Sequence, residues 1–219
     1  MKRLFTSTLL LAVAFTTQLS AQTVTATYTS KHLKDKVNVV FTGTINETDS
    51  YKQESSQPNT IYSYIYSDGK SLTTMIDDGG FSKSSDPTKN YTVIAPTVEI
   101  YFKDAAKNRI HQEWVMEDKP ETRVGELKKY NWQITKEKAT IAGYKCIKAT
   151  GTFGEFKIIA WFAKDIKVGD GPTQFGGLPG LIIKASVDDI YEIVASDIKV
   201  TNKTVVVNDP EEKGPVQPF

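Results

Sequence analysis

From Thr23 to Val207 the chain breaks into about a dozen short runs of β-branched and aromatic residues, each closed by turn-forming residues, and no stretch sustains a helical period. In Val37-Asn38-Val39-Val40-Phe41-Thr42-Gly43-Thr44-Ile45, alternation puts Val37, Val39, Phe41 and Ile45 on one face. Ile61–Tyr66 and Leu72–Ile76 flank Ser67-Asp68-Gly69-Lys70, whose Asp-Gly pair favours a two-residue hairpin because both residues tolerate positive φ. Further strand runs are expected at 91–95, 98–102, 109–116, 132–135, 144–150, 156–162, 181–185, 191–194 and 198–207. Residues 82–89 read as a polar loop. Helix is confined to a turn or two at 103–108 and to an ambiguous stretch at 121–130, weakened by Gly125. Such a pattern excludes βαβ units and predicts one mainly β domain over residues 22–208.

The ends read differently. Lys2 and Arg3 precede an apolar stretch, Leu4–Phe15, and then Thr16-Thr17-Gln18-Leu19-Ser20-Ala21, the charged, apolar and small-residue order of a secretory signal cleaved after Ala21. About a dozen apolar residues fall short of the ~20 that span a bilayer. Residues 1–21 are therefore expected to be removed, and the domain to reach the periplasm or cell surface. Losing Lys2 and Arg3 leaves 25 basic against 26 acidic residues, which argues against nucleic acid as a partner. At the other end, residues 209–219 carry Pro210, Pro215 and Pro218 and are expected to fray. Phe219 does not close an alternating strand of the outer-membrane type, because proline cannot join a central ladder.

Residues 131–184 carry the most distinctive order: Trp132-Gln133-Ile134-Thr135, Gly143-Tyr144-Lys145-Cys146, Ala160-Trp161-Phe162, and Gly177-Leu178-Pro179-Gly180-Leu181-Ile182. This order resembles the GLPGLI family of exported proteins of Gram-negative bacteria, a likeness that implies an envelope address and a β fold rather than a mechanism. The Gly-Tyr-x-Cys strand followed by a Trp-bearing strand is also similar to the central strands of lipoprotein-carrier-like proteins. Residues 156–162 have apolar side chains on both faces, as a doubly covered sheet requires. A curved antiparallel sheet or half-barrel is therefore the expected architecture, and a β-sandwich the alternative.

Leu178-Pro179-Gly180-Leu181 suits a type II turn, with Pro179 fixing φ and Gly180 accepting positive φ. One reading makes it an apolar plug at the end of the sheet. The functional reading makes Trp161, Phe175, Gly177, Leu178, Pro179 and Leu181 a ligand or partner site on the long glycine-bearing loop 163–177. The usual catalytic signatures are missing from the sequence: no Gly-x-Ser-x-Gly elbow, no phosphate loop and no spacing of metal ligands. His32 and His111 stand alone, Asp77-Asp78 and Asp188-Asp189 read as solvated turns, and Cys146 reads as a buried small hydrophobe that forms no internal disulfide. Cys146 with His111 is the least implausible nucleophile and base. No catalytic residue, cofactor or metal is assigned. The expectation is a non-enzymatic binding module for an apolar small molecule or an envelope protein, with an envelope hydrolase as the alternative.

Overall fold

The computed structural model describes residues 22–33, 59–77, 85–86, 91–92, 98–116, 119–213 and 215–219. The leader at 1–21, the strand expected at 37–45, Asp78 and most of 82–89 and 91–95 lie outside the described residues.

Alternation builds the sheet as the sequence suggests. In β1 (Thr23–His32), Val24, Ala26 and Tyr28 are buried while Thr25, Thr27 and Thr29 face outward. β2 (Thr60–Ser67) and β3 (Lys70–Asp77) form a hairpin through Asp68 (φ 50°) and Gly69 (φ 76°), the doubly positive pair of a type I′ turn. A two-stranded ribbon, β4 (Ser85–Asp86) and β5 (Tyr91–Thr92), stands apart. Next come β6 (Val98–Asp104), β7 (Arg109–Met116) and β8 (Lys119–Glu126). They are followed by β9 (Gln133–Ile141), β10 (Tyr144–Phe153), β11 (Phe156–Ala163), β12 (Leu181–Val187), β13 (Tyr191–Thr201) and β14 (Val216–Pro218).

All but the ribbon join one open, curved twelve-stranded sheet in the order β14-β8-β7-β6-β3-β2-β1-β13-β12-β11-β10-β9. The sheet is antiparallel throughout except where β14 runs parallel to β8. It consists of two meanders, and β1 pairs with both, β2 on one side and β13 on the other. The curved-sheet expectation therefore holds, and the sandwich gives way to a single sheet.

The core sits on the concave face and is asymmetric. Its buried cluster draws on β1, β2 and β10–β13 together with Tyr130 and the β11–β12 connection, and includes no residue of β6, β7 or β8. Residues 121–126, ambiguous in the sequence, belong to β8, where the cross-strand ladder to β7 outweighs the weak helical preference. Residues 105–108 form a tight turn and no helix. β9 and β10 are joined by a tight turn at Ala142 (φ 49°) and Gly143 (φ 83°).

The tail is also tied down rather than frayed. After β13 the chain crosses the convex face of β6–β8. Arg109 pairs with Asp209 and Glu212, His111 Nδ1 lies 2.7 Å from Asp209, and Lys213 reaches the buried Glu113 at 3.3 Å. Thr122 Oγ1 donates to the Lys213 carbonyl, and β14 then pairs with β8. Pro218 is tolerated there because β14 is the outermost strand.

Candidate binding site

The β11–β12 connection, residues 164–180, folds over the concave face and is fixed at almost every turn. Phe175 N donates to Pro172 O at 3.0 Å, Gly177 N to Gly169 O at 2.9 Å and Ile182 N to Asp170 O at 2.9 Å. Side chains from β1, β3 and the β8–β9 connection then grip the backbone of the loop and of the start of β12. Tyr28 Oη donates to Ile182 O (2.7 Å), Tyr130 Oη to Gln174 O (3.1 Å) and Trp132 Nε1 to Gly176 O (2.9 Å). Thr173 N donates to Thr73 Oγ1 of β3 at 3.1 Å.

The central bolt is a buried ion pair. Lys103 Nζ lies 2.5 Å from Asp170 Oδ1 and also donates to Gly171 O (2.8 Å) and Phe175 O (2.6 Å), so its three N–H donors are committed. Tyr64 Oη donates to the other Asp170 oxygen at 3.0 Å. Burial lowers the Lys103 pKa, with Asp170 opposing, and burial together with Asp170 raises that of Tyr64. The sequence reading missed this pair. Its signal was present: Glu99, Tyr101 and Lys103 alternate onto one face of β6, and Asp170 stands between Gly169 and Gly171 in a glycine-bearing loop.

The residues singled out from sequence separate into two sets. Phe175, Leu178 and Leu181 are fully buried core, packed with Tyr130 and the inner face of the sheet. Gly177 and Pro179 are exposed, and Trp161 is half-buried on β11, away from the loop pocket. The expected type II turn at 178–181 is not formed. Gly180 N donates back to Leu178 O at 2.9 Å, a three-residue turn around Pro179, and Gly177 rather than Gly180 takes positive φ. Gly180 is needed for proximity instead: a Cβ there would collide with the Ala163 carbonyl oxygen.

Between the loop and the β2–β3 and β6–β7 turns lies a pocket of about 180 Å³, lined by Tyr66, Lys103, Leu127, Lys128, Gln174 and Gly177 among others. Elsewhere, Cys146 is buried and burial pushes its thiol up to about 11. His111 is also buried, is paired with Asp209, and lies in the other half of the sheet order from Cys146, so the expected nucleophile and base do not meet. Among the described residues no group of three His, Cys, Asp or Glu side chains is placed to hold a metal ion, and no helix is long and apolar enough to cross a membrane.

One open, curved sheet whose concave face is closed by a bolted loop defines an all-β domain. More narrowly, the chain belongs to the family described as N-glycanase peptide, N-terminal domain, whose model matches residues 45–216. The solved structures that share the fold include two of PNGF-II. The structure of PNGF-II in the C2 space group is 20% identical with a TM-score of 0.52, over 90% of this chain and 31% of that one. PNGF-II in the P21 space group is 19% identical with the same score, over 91% and 32%. The chain thus spans about a third of the length of those proteins. Among curated proteins, none matches.

This family overturns the resemblance to the GLPGLI family, since its match takes in the whole 131–184 segment on which that resemblance rested. The hexapeptide is explained by packing: Leu178 and Leu181 must be buried and Gly180 must touch the end of β11. A motif dictated by a packed turn says little about descent.

Proposed function

We propose that the chain is an exported, non-enzymatic binding domain that engages a polypeptide partner of the cell envelope through the surface around the β11–β12 loop. The observation that carries this reading is the filled concave face. Phe175, Leu178, Leu181 and Ile182 occupy the space in which a curved sheet would enclose an apolar ligand. Among the described residues, the pocket beside the loop, about 180 Å³, is smaller than the ~300–1,000 Å³ of ordinary small-molecule sites. A rigid loop presenting Gly177, Pro179 and Gln174, beside Lys128 and half-exposed Trp132 of the β8–β9 connection, suits a preorganised protein contact instead. The family description makes a glycosylated polypeptide the first partner to try.

The test is co-purification from an envelope extract followed by reconstitution with the purified partner. Gln174→Arg and Lys128→Glu should abolish the complex, and Ile190→Ser, in the turn at the opposite end of β12 from the loop, should leave it intact. Phe175 and Leu178 are unsuitable for this purpose, because charging a buried side chain tests folding. Saturable binding of fatty acids by delipidated protein would refute the reading. The second reading, hydrolysis of a glycosylated polypeptide, is favoured by the word N-glycanase in the family description. Glycan released from a glycopeptide by the purified chain would establish it. Amino-terminal sequencing of the exported chain, expected to begin at Gln22, tests the address.

A further inference from the structure

The β6–β8 wing contributes nothing to the buried apolar cluster, yet its concave face carries an ordered row of aromatic and polar side chains. The register sets Glu99, Trp114 and Glu121 side by side across β6, β7 and β8. Two residues along, Tyr101, Gln112 and Arg123 form a second row. Cross-strand partners share a face, so both rows present their side chains together.

These side chains are held in place before any ligand arrives. Tyr62 Oη of β2 donates to Glu99 Oε2 at 2.6 Å, and Tyr101 Oη donates to Glu99 Oε1. Gln112 Nε2 in turn donates to Tyr101 Oη at 3.0 Å. Burial and the Glu99 charge raise the pKa of both phenols, so they remain donors at neutral pH. Each Glu99 oxygen receives one phenol and keeps acceptor capacity, because an ionised carboxylate offers about four sites. The Arg123 guanidinium lies 4.6 Å from the Trp114 ring centroid, and the indole is half-exposed.

We infer that this row is a carbohydrate site: a pyranose ring stacks on Trp114 while its hydroxyls donate to Glu99 and Gln112 and accept from Arg123. A sugar ring is the ligand class that combines an apolar C–H face with a rim of hydroxyls, and it matches an indole flanked by carboxylates, an amide and a guanidinium. An apolar ligand would take water from Glu99 and Gln112 and offer no hydrogen bond in return. A polyanion would meet Glu99 and Glu121. The inference goes beyond the loop-surface reading, because it lies on the opposite wing and stands whether or not a polypeptide binds at the loop.

The experiment titrates the full chain with cellobiose, mannobiose and N,N′-diacetylchitobiose, followed by the Trp114 indole N–H resonance and by calorimetry. Saturable binding of at least one disaccharide is expected, weakened about tenfold or more by Trp114→Ala and by Glu99→Gln. Trp114→Phe should keep part of the affinity and supplies the comparison should the alanine variant misfold. Gln174→Arg and Lys128→Glu, which disable the loop surface, should bind the sugar as the parent does. No saturable binding of any of the three below about 10 mM overturns the inference, as does undiminished affinity in either Trp114→Ala or Glu99→Gln.

Discussion

Replacing Lys103 with Met tests whether the buried ion pair holds the β11–β12 loop to the sheet. Methionine keeps most of the aliphatic stem but removes three donors at once. Asp170 then loses its countercharge while keeping Tyr64, and the carbonyls of Gly171 and Phe175 lose their partner. The Lys103 and Asp170 side chains are 5% and 13% exposed, so water cannot simply take the place of the ammonium. Removing one member of such a pair costs about 3–5 kcal/mol, and for a chain of this size each kcal/mol moves Tm by about 2–4 °C. The expected loss is therefore about 6–20 °C, read by calorimetry and by urea unfolding followed through tryptophan fluorescence. Because Lys103 joins β6 to the loop, the m-value should stay constant while the midpoint falls. Adding Asp170→Asn to Lys103→Met removes the stranded charge but keeps an acceptor for Tyr64, and it should recover part of the loss. A single-variant loss under about 1 kcal/mol, or strict additivity in the double variant, would refute the argument that this pair is a coupled structural bolt.

Other outcomes follow from single sites. Gly180→Ala should destabilise far more than Gly143→Ala, because its Cβ would collide with the Ala163 carbonyl oxygen, whereas Gly143 has nothing within 4 Å and pays only for its φ of +83°; equal midpoints in urea would contradict this. Native Cys146, its thiol pushed up to about 11 by burial, should resist Ellman's reagent at about pH 7.5 until the chain unfolds, and prompt modification of the folded protein would show that its burial is wrong. Seven tyrosines (Tyr28, Tyr62, Tyr64, Tyr66, Tyr101, Tyr130 and Tyr191) have pKa values raised in the fold above the ordinary phenol value of 10.0. The stability they contribute is complete below that pH and is lost as pH climbs above it, because the unfolded chain releases those protons first. Urea midpoints should fall steeply above about pH 10, and a flat profile to about pH 12 would count against the buried phenol network.

The parts of this fold that were legible in the sequence are those set by local rules. Asp68-Gly69 named a hairpin, short β-branched and aromatic runs named an all-β fold, and the packed neighbourhood of Cys146 named a buried thiol. Pairing between distant segments was not legible, because it depends on which strand edges remain open after collapse. Nothing local to residues 23–32 says that this strand lies between β2 and β13, or that a proline-bearing tail crosses β7 to pair with β8. The loop misled for a related reason. Its apolar residues looked like contacts for a ligand, but Phe175, Leu178 and Leu181 are the filling of the concave face. Whether an apolar side chain meets a partner or its own core depends on what folds over it, and here Lys103, Tyr130 and Trp132 pull the loop inward.

The two wings of the sheet are held by different forces, and they should open differently. The β9–β13 wing is packed by the apolar cluster, whereas β6–β8 lies outside it. That second wing is fixed by the Lys103 bolt on its concave face and by the C-terminal strap on its convex face. Ion pairs involving the exposed Lys213 and Glu212 contribute little individually, because water and salt screen them. The parts of the strap that matter are therefore the Asp209 pairings and the β14 ladder, including Phe219 N donating to Val124 O at 3.1 Å. Truncation after Asn208 would uncover His111 and Glu113 and leave the outer edge of β8 unpaired. Amide exchange should then accelerate in β7 and β8 while β11 and β12 keep their protection, since removing a local restraint promotes local opening. Uniform acceleration across both wings would mean that the sheet unfolds as one unit and that the division into wings has no energetic meaning.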